Sequence, residues 1–315
     1  MNACIVKDPV TSLWKVLKGS PLEFHIISLV HSSWGSQNNG YFPGPQPISI
    51  ERVHFKILKK NEYVVCEKTD GVRHLLVSTL FGDKKVCVIF NRAFDMTVVS
   101  LNMPKSAYQG TILDGELVDK TFLVYDAITV SGASVKDSNL HKRMETAATL
   151  VSGILRMKTD QITVNVKKFY NLKNYKEFIT EHLPSVPYNI DGLVFTPVNE
   201  CIKSGTHETM FKWKPRDNNT IDFQFKRWDQ QQKWGMYVIE KGKLVFESEL
   251  SFSNAPEWIT EDCIVECQYM CDEHPRWWKP LNLRNDKTHP NNRRTFYRTL
   301  VNIKENIQIG EFNLF

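Results

Sequence analysis

Between residues 63 and 128 the chain is built from short apolar and β-branched runs, at 63–66, 74–80, 86–90, 111–118 and 122–128, separated by turn-forming residues. Runs of that length, rich in Val, Ile, Thr, Phe and Tyr, alternate side chains between two faces and read as strands of a sheet. Helical spacing occurs on either side of them. Ser49 is placed to cap a helix with Ile50, Val53, Ile57 and Leu58 on one face, Lys59 and Lys60 in its last turn and Asn61 as its stop. Residues 135–157 and 172–182 also read as helix, and 162–169 and 192–197 as two more strands. The first forty residues show no clear period, and Ser36-Gln37-Asn38-Asn39-Gly40 and Pro43-Gly44-Pro45 read as loop. The expected fold class is α+β.

The composition changes after Lys214-Pro215-Arg216-Asp217-Asn218-Asn219. Short strands at 221–227, 234–240, 243–246 and 263–269 suit a small barrel, for which the OB-fold is a natural candidate. In the stretch 292–304, Phe296, Leu300 and Ile303 fall at helical spacing. The expected division is 1–218, 219–299 and a C-terminal helix or tail, 300–315, packing back on the first domain. A chain of 315 residues with 42% hydrophobic content supports two cores of that size.

No run is long and apolar enough to span a bilayer, and the N-terminus lacks a basic segment leading into an apolar one, so the expectation is an intracellular protein with no membrane partner. The net charge of +5 is compatible with a polyanionic partner such as a nucleotide or RNA. Seven cysteines without a secretory leader read as reduced thiols. Cys263, Cys267, Cys271 and His274 superficially resemble a zinc site, but 263–269 alternates as a strand. Cysteines four apart on a strand lie about 13 Å from each other, too far to share an ion.

Lys68 follows the run at 63–66 in the string Glu67-Lys68-Thr69-Asp70-Gly71-Val72-Arg73. A strand would hold that lysine at fixed depth, and the glycine after it permits a tight turn. Such a lysine can be a nucleophile once its amine is neutral, which calls for desolvation or neighbouring positive charge. Asp-Gly between strands also fits an ordinary hairpin turn. Downstream, Met210-Phe211-Lys212-Trp213-Lys214 alternates, which points both lysines to one face. Asp114-Gly115-Glu116 and Asp191-Gly192 offer carboxylates beside apolar runs, enough for a cation that also keeps water and phosphate ligands.

In this order the segments resemble the motifs of the covalent nucleotidyltransferase superfamily, which comprises mRNA capping guanylyltransferases and ATP- or NAD-dependent polynucleotide ligases. Lys68-Thr69-Asp70-Gly71-Val72-Arg73 looks like motif I, Asp114-Gly115-Glu116 motif III, and Phe122-Leu123-Val124-Tyr125-Asp126-Ala127 motif IIIa. Asp191-Gly192-Leu193 resembles motif IV, Phe211-Lys212-Trp213-Lys214-Pro215 motif V and Arg284-Asn285-Asp286-Lys287 motif VI. Thr69, motif VI followed by Pro290-Asn291, and Thr220-Ile221-Asp222-Phe223 are typical of the capping branch. Phe42-Pro43-Gly44-Pro45-Gln46-Pro47 and Ser49-Ile50-Glu51-Arg52 resemble its compact representatives in large DNA viruses, such as the chlorella virus type.

The resemblance implies a ligase-type, ATP-grasp-like nucleotidyltransferase domain of antiparallel sheets with helices, followed by an OB-fold β-barrel. It implies that Lys68 attacks the α-phosphate of GTP and carries GMP to a 5′-diphosphate RNA end, making a GpppN cap. Arg73 and Arg92 match ribose contacts, although the family often has Asp where Asn91 stands. Tyr125 would stack on guanine, and Lys167, or its neighbour Lys168, would donate to guanine O6. Glu116 and Asp191 would hold Mg²⁺ or Mn²⁺, and Lys212 and Lys214 the α-phosphate. Arg284, Asp286 and Lys287 would reach the β- and γ-phosphates when the small domain closes. An RNA triphosphatase and a cap methyltransferase would be separate proteins, with RNA polymerase a further partner. An ATP-dependent ligase, or a catalytically silent nucleic-acid-binding scaffold of the same fold, would share much of this pattern.

Overall fold

The computed structural model describes residues 2–36, 40–285 and 287–314. It divides into two compact units, one comprising most of the chain before Trp213 and the other comprising Ser49–Lys56 with Trp213–Leu314. The first contains a nine-stranded sheet in the order Ile5–Lys7, Trp14–Val16, Met96–Val98, Lys84–Asn91, Val72–Phe81, Thr111–Val118, Thr121–Val130 and Ala133–Ser134, with Thr163–Val166 running parallel to Thr121–Val130. Alternation explains how this sheet is covered on both faces. Leu75, Val77, Val88 and Phe90 enter one core with Leu22, Ile26 and Val30 of the helix Pro21–Trp34. Leu76, Ile89, Leu113 and Val124 enter the other with Met144, Ala147 and Leu150 of the helix Leu140–Ser152.

A five-stranded sheet follows, ordered Tyr170–Asn171, Tyr63–Thr69, Ile190–Pro197, Gly205–Trp213 and Pro45–Ser49. The last of these corrects the expected helix start. Residues 45–49 pair as an edge strand, so Ser49 caps nothing, and the helical turn Arg52–His54 begins instead at Glu51, whose N–H donates to His54 Nδ1 at 2.9 Å. The helix expected over 135–157 is shorter at both ends. Asn139 accepts from the Lys142 N–H to start Leu140–Ser152 and Gly153 ends it, while Ala133–Ser134 is spent on strand pairing. Residues 172–185 are helical throughout but irregular, with a π-type segment at Phe178–His182.

The helix Pro21–Trp34 has no counterpart in the sequence reading. Its signals are nonetheless present: Ser20 accepts from the Glu23 N–H, proline opens the first turn, and Gly35 closes it in the left-handed region at φ 67°. Phe24 on the exposed side, with Ile27 and Leu29 flanking the buried stripe, blurs the period. Of the loop expected at 36–40, residues 37–39 lie outside the described residues.

The second unit is a five-stranded antiparallel sheet ordered Lys243–Ser251, Lys233–Glu240, Thr220–Trp228, Ile264–Met270 and Trp277–Leu283. Trp277–Leu283 escaped the sequence reading because Pro280 argues against a central strand; it is an edge strand, where proline is tolerated. Among the described residues no pairing joins the two edge strands, as suits a partly open barrel of the OB type rather than a closed one. The helix Arg293–Glu305 inserts Phe296 and Ile303 into this unit's own core. Ser49–Lys56 belongs here through Asn302 Nδ2 donating to Ile50 O at 2.5 Å, Arg298 Nε to Glu51 Oε1 at 3.0 Å and Phe55 against Phe312.

In the first unit, Arg143 is fully buried and donates to Asp126 through Nε at 2.7 Å and NH2 at 3.0 Å, and through NH1 to the Ser138 and Glu200 carbonyls. Burial pushes the Asp126 carboxyl up from its usual range in spite of the guanidinium. Truncating Asp126 to Ala leaves that cation unpaired in the interior. A loss of about 3–5 kcal/mol in stability is expected, measurable by urea titration of Asp126→Ala.

Candidate active site

Lys68 lies near the end of the strand Tyr63–Thr69, whose neighbour Ile190–Pro197 pairs Gly192 with Lys68 and Thr69 with Ile190. Asp191 is therefore the extra residue of a β-bulge, and the bulge turns its carboxylate toward the lysine. Lys68 Nζ donates to both Asp191 oxygens, at 2.7 and 2.9 Å. The ammonium is about one-quarter exposed, so it is partly desolvated yet open to a ligand. Gly71 follows in the turn, and a Cβ there would come within 2.7 Å of the Leu117 carbonyl and 2.9 Å of Glu116 Cγ. The glycine is required by this close approach.

Arg73, on the next strand, is buried and grips Asp114 through Nε at 2.9 Å and NH2 at 2.5 Å, while NH1 donates to Pro45 O. Its guanidinium sits 5.1 Å from the Phe42 ring centre and 5.8 Å from that of Tyr125. Gly44 lies against this group, since a Cβ there would fall on the guanidinium. Burial raises the Tyr125 phenol well above its ordinary value, keeping the ring neutral. Glu116 pairs across the ladder with Arg73. Burial pushes its carboxyl up, and the charges of Lys68, Lys167 and Arg73 pull the other way.

Lys167 and Lys168 are separated cleanly: Lys167 is buried and Lys168 exposed. The Lys167 N–H donates to Val124 O at 2.8 Å, bringing it level with Tyr125, and its Nζ donates to the Glu67 carbonyl at 2.8 Å and to Thr69 Oγ1. Arg92 stands exposed in the turn after Lys84–Asn91. Asn91 shapes that turn, its Oδ1 accepting from the Ala93 and Asp95 N–H groups at 2.9 and 3.1 Å, a role an aspartate would share. Lys212 and Lys214 are half-buried and alternate with the buried Phe211 and Trp213.

In the second unit, Arg284 NH1 donates to Asp222 Oδ1 at 3.0 Å and Lys287 Nζ pairs with Asp222 Oδ2. Asp222 is buried on its strand, and its backbone is tied in both directions to Asn291. Asp286 lies outside the described residues.

Sequence reasoning passed over the acids that hold these cations. Asp114 is read there only as a carboxylate for a metal cation, not as the partner of Arg73, and Asp222 stands within a motif string without a role of its own. Glu67 precedes the lysine, and nothing in its spacing distinguishes it from a strand residue. Glu116 and Asp191 together offer the one or two carboxylates expected for a small hard cation that also binds phosphate oxygens. Among the described residues no group of three or more His, Cys, Asp or Glu side chains could hold a metal alone.

Residues 22–216 match the family model of the mRNA capping enzyme catalytic domain, and 218–312 that of the mRNA capping enzyme C-terminal domain. The mRNA-capping enzyme subunit alpha of Schizosaccharomyces pombe is 28% identical, the alignment covering 84% of this chain and 77% of the relative. That of Neurospora crassa is 25% identical over 86% and 83%, respectively. The Caenorhabditis elegans mRNA-capping enzyme is 28% identical over 84% of this chain but only 48% of its own length. Among solved structures, a mycobacterial DNA ligase D complexed with ATP and MES is 12% identical, with 80% of this chain and 97% of that chain covered and a TM-score of 0.43.

Replacing Gly71 with alanine sets a methyl group against the Leu117 carbonyl and Val118 Cγ2, at 2.7 and 2.8 Å. Overpacking of this kind costs about 1–3 kcal/mol. A lowered midpoint in thermal unfolding is the expected result for Gly71→Ala, with displacement of Lys68 from Asp191 visible in a crystal structure.

Proposed function

The chain belongs to the mRNA capping enzyme family, its catalytic and C-terminal domain models matching residues 22–216 and 218–312, and from that premise we propose how its side chains carry out guanylyl transfer. It is a nucleotidyltransferase of the guanylyltransferase type, acting on GTP and RNA. Lys68 is the nucleophile: its nitrogen lone pair attacks the α-phosphorus, the bond to pyrophosphate breaks, and GMP remains as a phosphoramidate. A 5′-diphosphate RNA end then displaces the lysine and becomes the cap. The observation carrying this reading is the contact of Lys68 Nζ with both Asp191 oxygens, beside Glu116. That contact aims the amine. A divalent cation, Mg²⁺ or Mn²⁺, would be held by Glu116 and Asp191, competing for the carboxylate that pairs Lys68 and neutralising phosphate oxygens.

Lys212 and Lys214 would neutralise the α-phosphate. Tyr125 offers its ring to the base, and Arg73 and Arg92 their donors to the ribose. Arg284, Asp286 and Lys287 act on the outer phosphates when the second unit closes on the nucleotide. Reopening would then release pyrophosphate and admit RNA. Five fungal relatives bear the name "subunit alpha", which supports a partner chain for the triphosphatase step. The methyltransferase is likewise read as a separate protein, the polymerase as a further partner and the location as intracellular.

Incubation with α-labelled GTP and Mg²⁺ or Mn²⁺ should give a covalent adduct that is stable to alkali and labile to acid, and Lys68→Ala should abolish it. An adduct formed only with ATP would identify a ligase, and no adduct with either nucleotide a silent scaffold. Asp222→Ala frees Arg284 and Lys287 from their common acceptor, and misplacement of such groups costs up to about a hundredfold. The expected outcome is a loss of GTP labelling of at least about tenfold with the thermal melt of the first unit retained.

A further inference from the structure

Glu67 is 1% exposed, carries a carboxylate, and stands immediately before Lys68, yet the reaction described above gives it no task. Three donors converge on it from three separate segments of the chain. Tyr188 OH donates to Oε1 at 3.2 Å, His182 Nε2 lies 3.2 Å from Oε2, and Lys167 Nζ lies 3.4 Å from Oε1. His182 ends the π-type segment Phe178–His182, and its ring packs between Tyr170 and Phe178, at centroid distances of 5.0 and 5.6 Å. The wider turn of a π segment is a costly local irregularity that recurs at functional sites. A buried carboxylate surrounded by a phenol, an imidazole and an ammonium is not needed to complete the sheet ladder, which the backbone already satisfies.

The consequence lies in what this carboxylate does to Lys167. Glu67 supplies the only carboxylate paired with that ammonium among the described ion pairs, at 3.4 Å, while its carbonyl and the Thr69 hydroxyl accept two of the ammonium protons. Two hydrogen-bond acceptors and the nearby carboxylate charge fix the nitrogen at one point beside Thr69 and, through the Val124 carbonyl, level with Tyr125, with one ammonium proton left to donate. With its oxygen accepting from Lys167, Thr69 has its own hydroxyl proton left to donate.

We infer that Glu67, braced by Tyr188 and His182, is a positioning residue for base selection: it locks Lys167 and Thr69 as a pair of donors, so that the site accepts a nucleobase with an oxygen at position 6 and rejects one with an amino group there. This rests on the reading that Tyr125, Lys167 and Thr69 face the nucleobase. An amino group at that position would meet two donors and leave buried polar groups unpaired, the condition under which discrimination is strongest.

The test compares adduct formation from GTP and from 2,6-diaminopurine riboside triphosphate, which differ at position 6 and in the proton that accompanies it on N1, in the wild-type chain and in Glu67→Gln. Formation of the wild-type adduct with GTP is scored first, so that failure of the guanylyltransferase reading is seen separately. Glu67→Gln keeps the shape and removes the charge. The expected result is a KM for GTP raised about tenfold and a preference for GTP over the diaminopurine analogue reduced by a similar factor, the loss falling on KM rather than kcat. Glu67→Gln added to Lys167→Met should bring no further loss of preference, because the two act as one unit. Tyr188→Phe, which removes one brace and keeps the ion pair, should move the same preference in the same direction by a smaller factor, and it serves if Glu67→Gln does not fold. An unchanged preference in folded Glu67→Gln or in Tyr188→Phe, or equal losses for both nucleotides, overturns the inference.

Discussion

The antiparallel ladder between Tyr63–Thr69 and Ile190–Pro197 is the constraint on which the candidate site depends. A regular ladder would send Asp191 to a face of its own choosing by parity alone. The bulge breaks parity for one residue, so that Asp191 and Lys68 meet although Gly192 is the lysine's formal partner. Everything else assembles relative to that pair. The sharp turn at Gly71 carries the chain into Val72–Phe81, where Arg73 meets Asp114, and the parallel addition of Thr163–Val166 delivers Lys167 beneath Thr69.

A common electrostatic pattern runs through the molecule. Lys68 is held by Asp191, Lys167 by Glu67, Arg73 by Asp114, and Arg284 and Lys287 by Asp222. Each of these five cations arrives with an acid that already fixes its position. Such pairing lowers the reorganisation needed when an anion binds, because the donors are aimed beforehand rather than recruited from solvent. It also sets a demand on the ligand. An isolated anion gains little by competing with a carboxylate, whereas a triphosphate with a metal brings enough charge to share several cations at once.

Much of this was legible in the sequence, for reasons that differ by element. The strands Thr111–Val118 and Ile190–Pro197 were visible because alternation and Asp-Gly signals coincide, and the family resemblance fixed their order. The matched capping domains bear out the enzyme class read from Lys68 to Lys287. The helix Pro21–Trp34 was missed because an exposed Phe24 and the apolar residues flanking its stripe obscure a period that its caps would have revealed. Ser49 was misread because a good capping residue is equally at home ending an edge strand. The acids Glu67, Asp114 and Asp222 could not be paired with their cations from spacing, since the partners lie 100, 41 and 62 to 65 positions away and meet only through sheet register.

The second unit draws Ser49–Lys56 from the middle of the first unit's stretch of chain. Arg52 donates through its backbone N–H to Glu305 at 2.7 Å and through NH2 to Glu311 at 3.0 Å, and Trp213 Nε1 donates to Ile307 O at 2.8 Å. The small unit is therefore not a contiguous cassette. A gene fusion or recombination event that exchanged only the distal third of the coding sequence would strip Asn302, Arg298 and Glu305 of their partners, so inheritance of the two units is coupled by eight residues encoded far upstream.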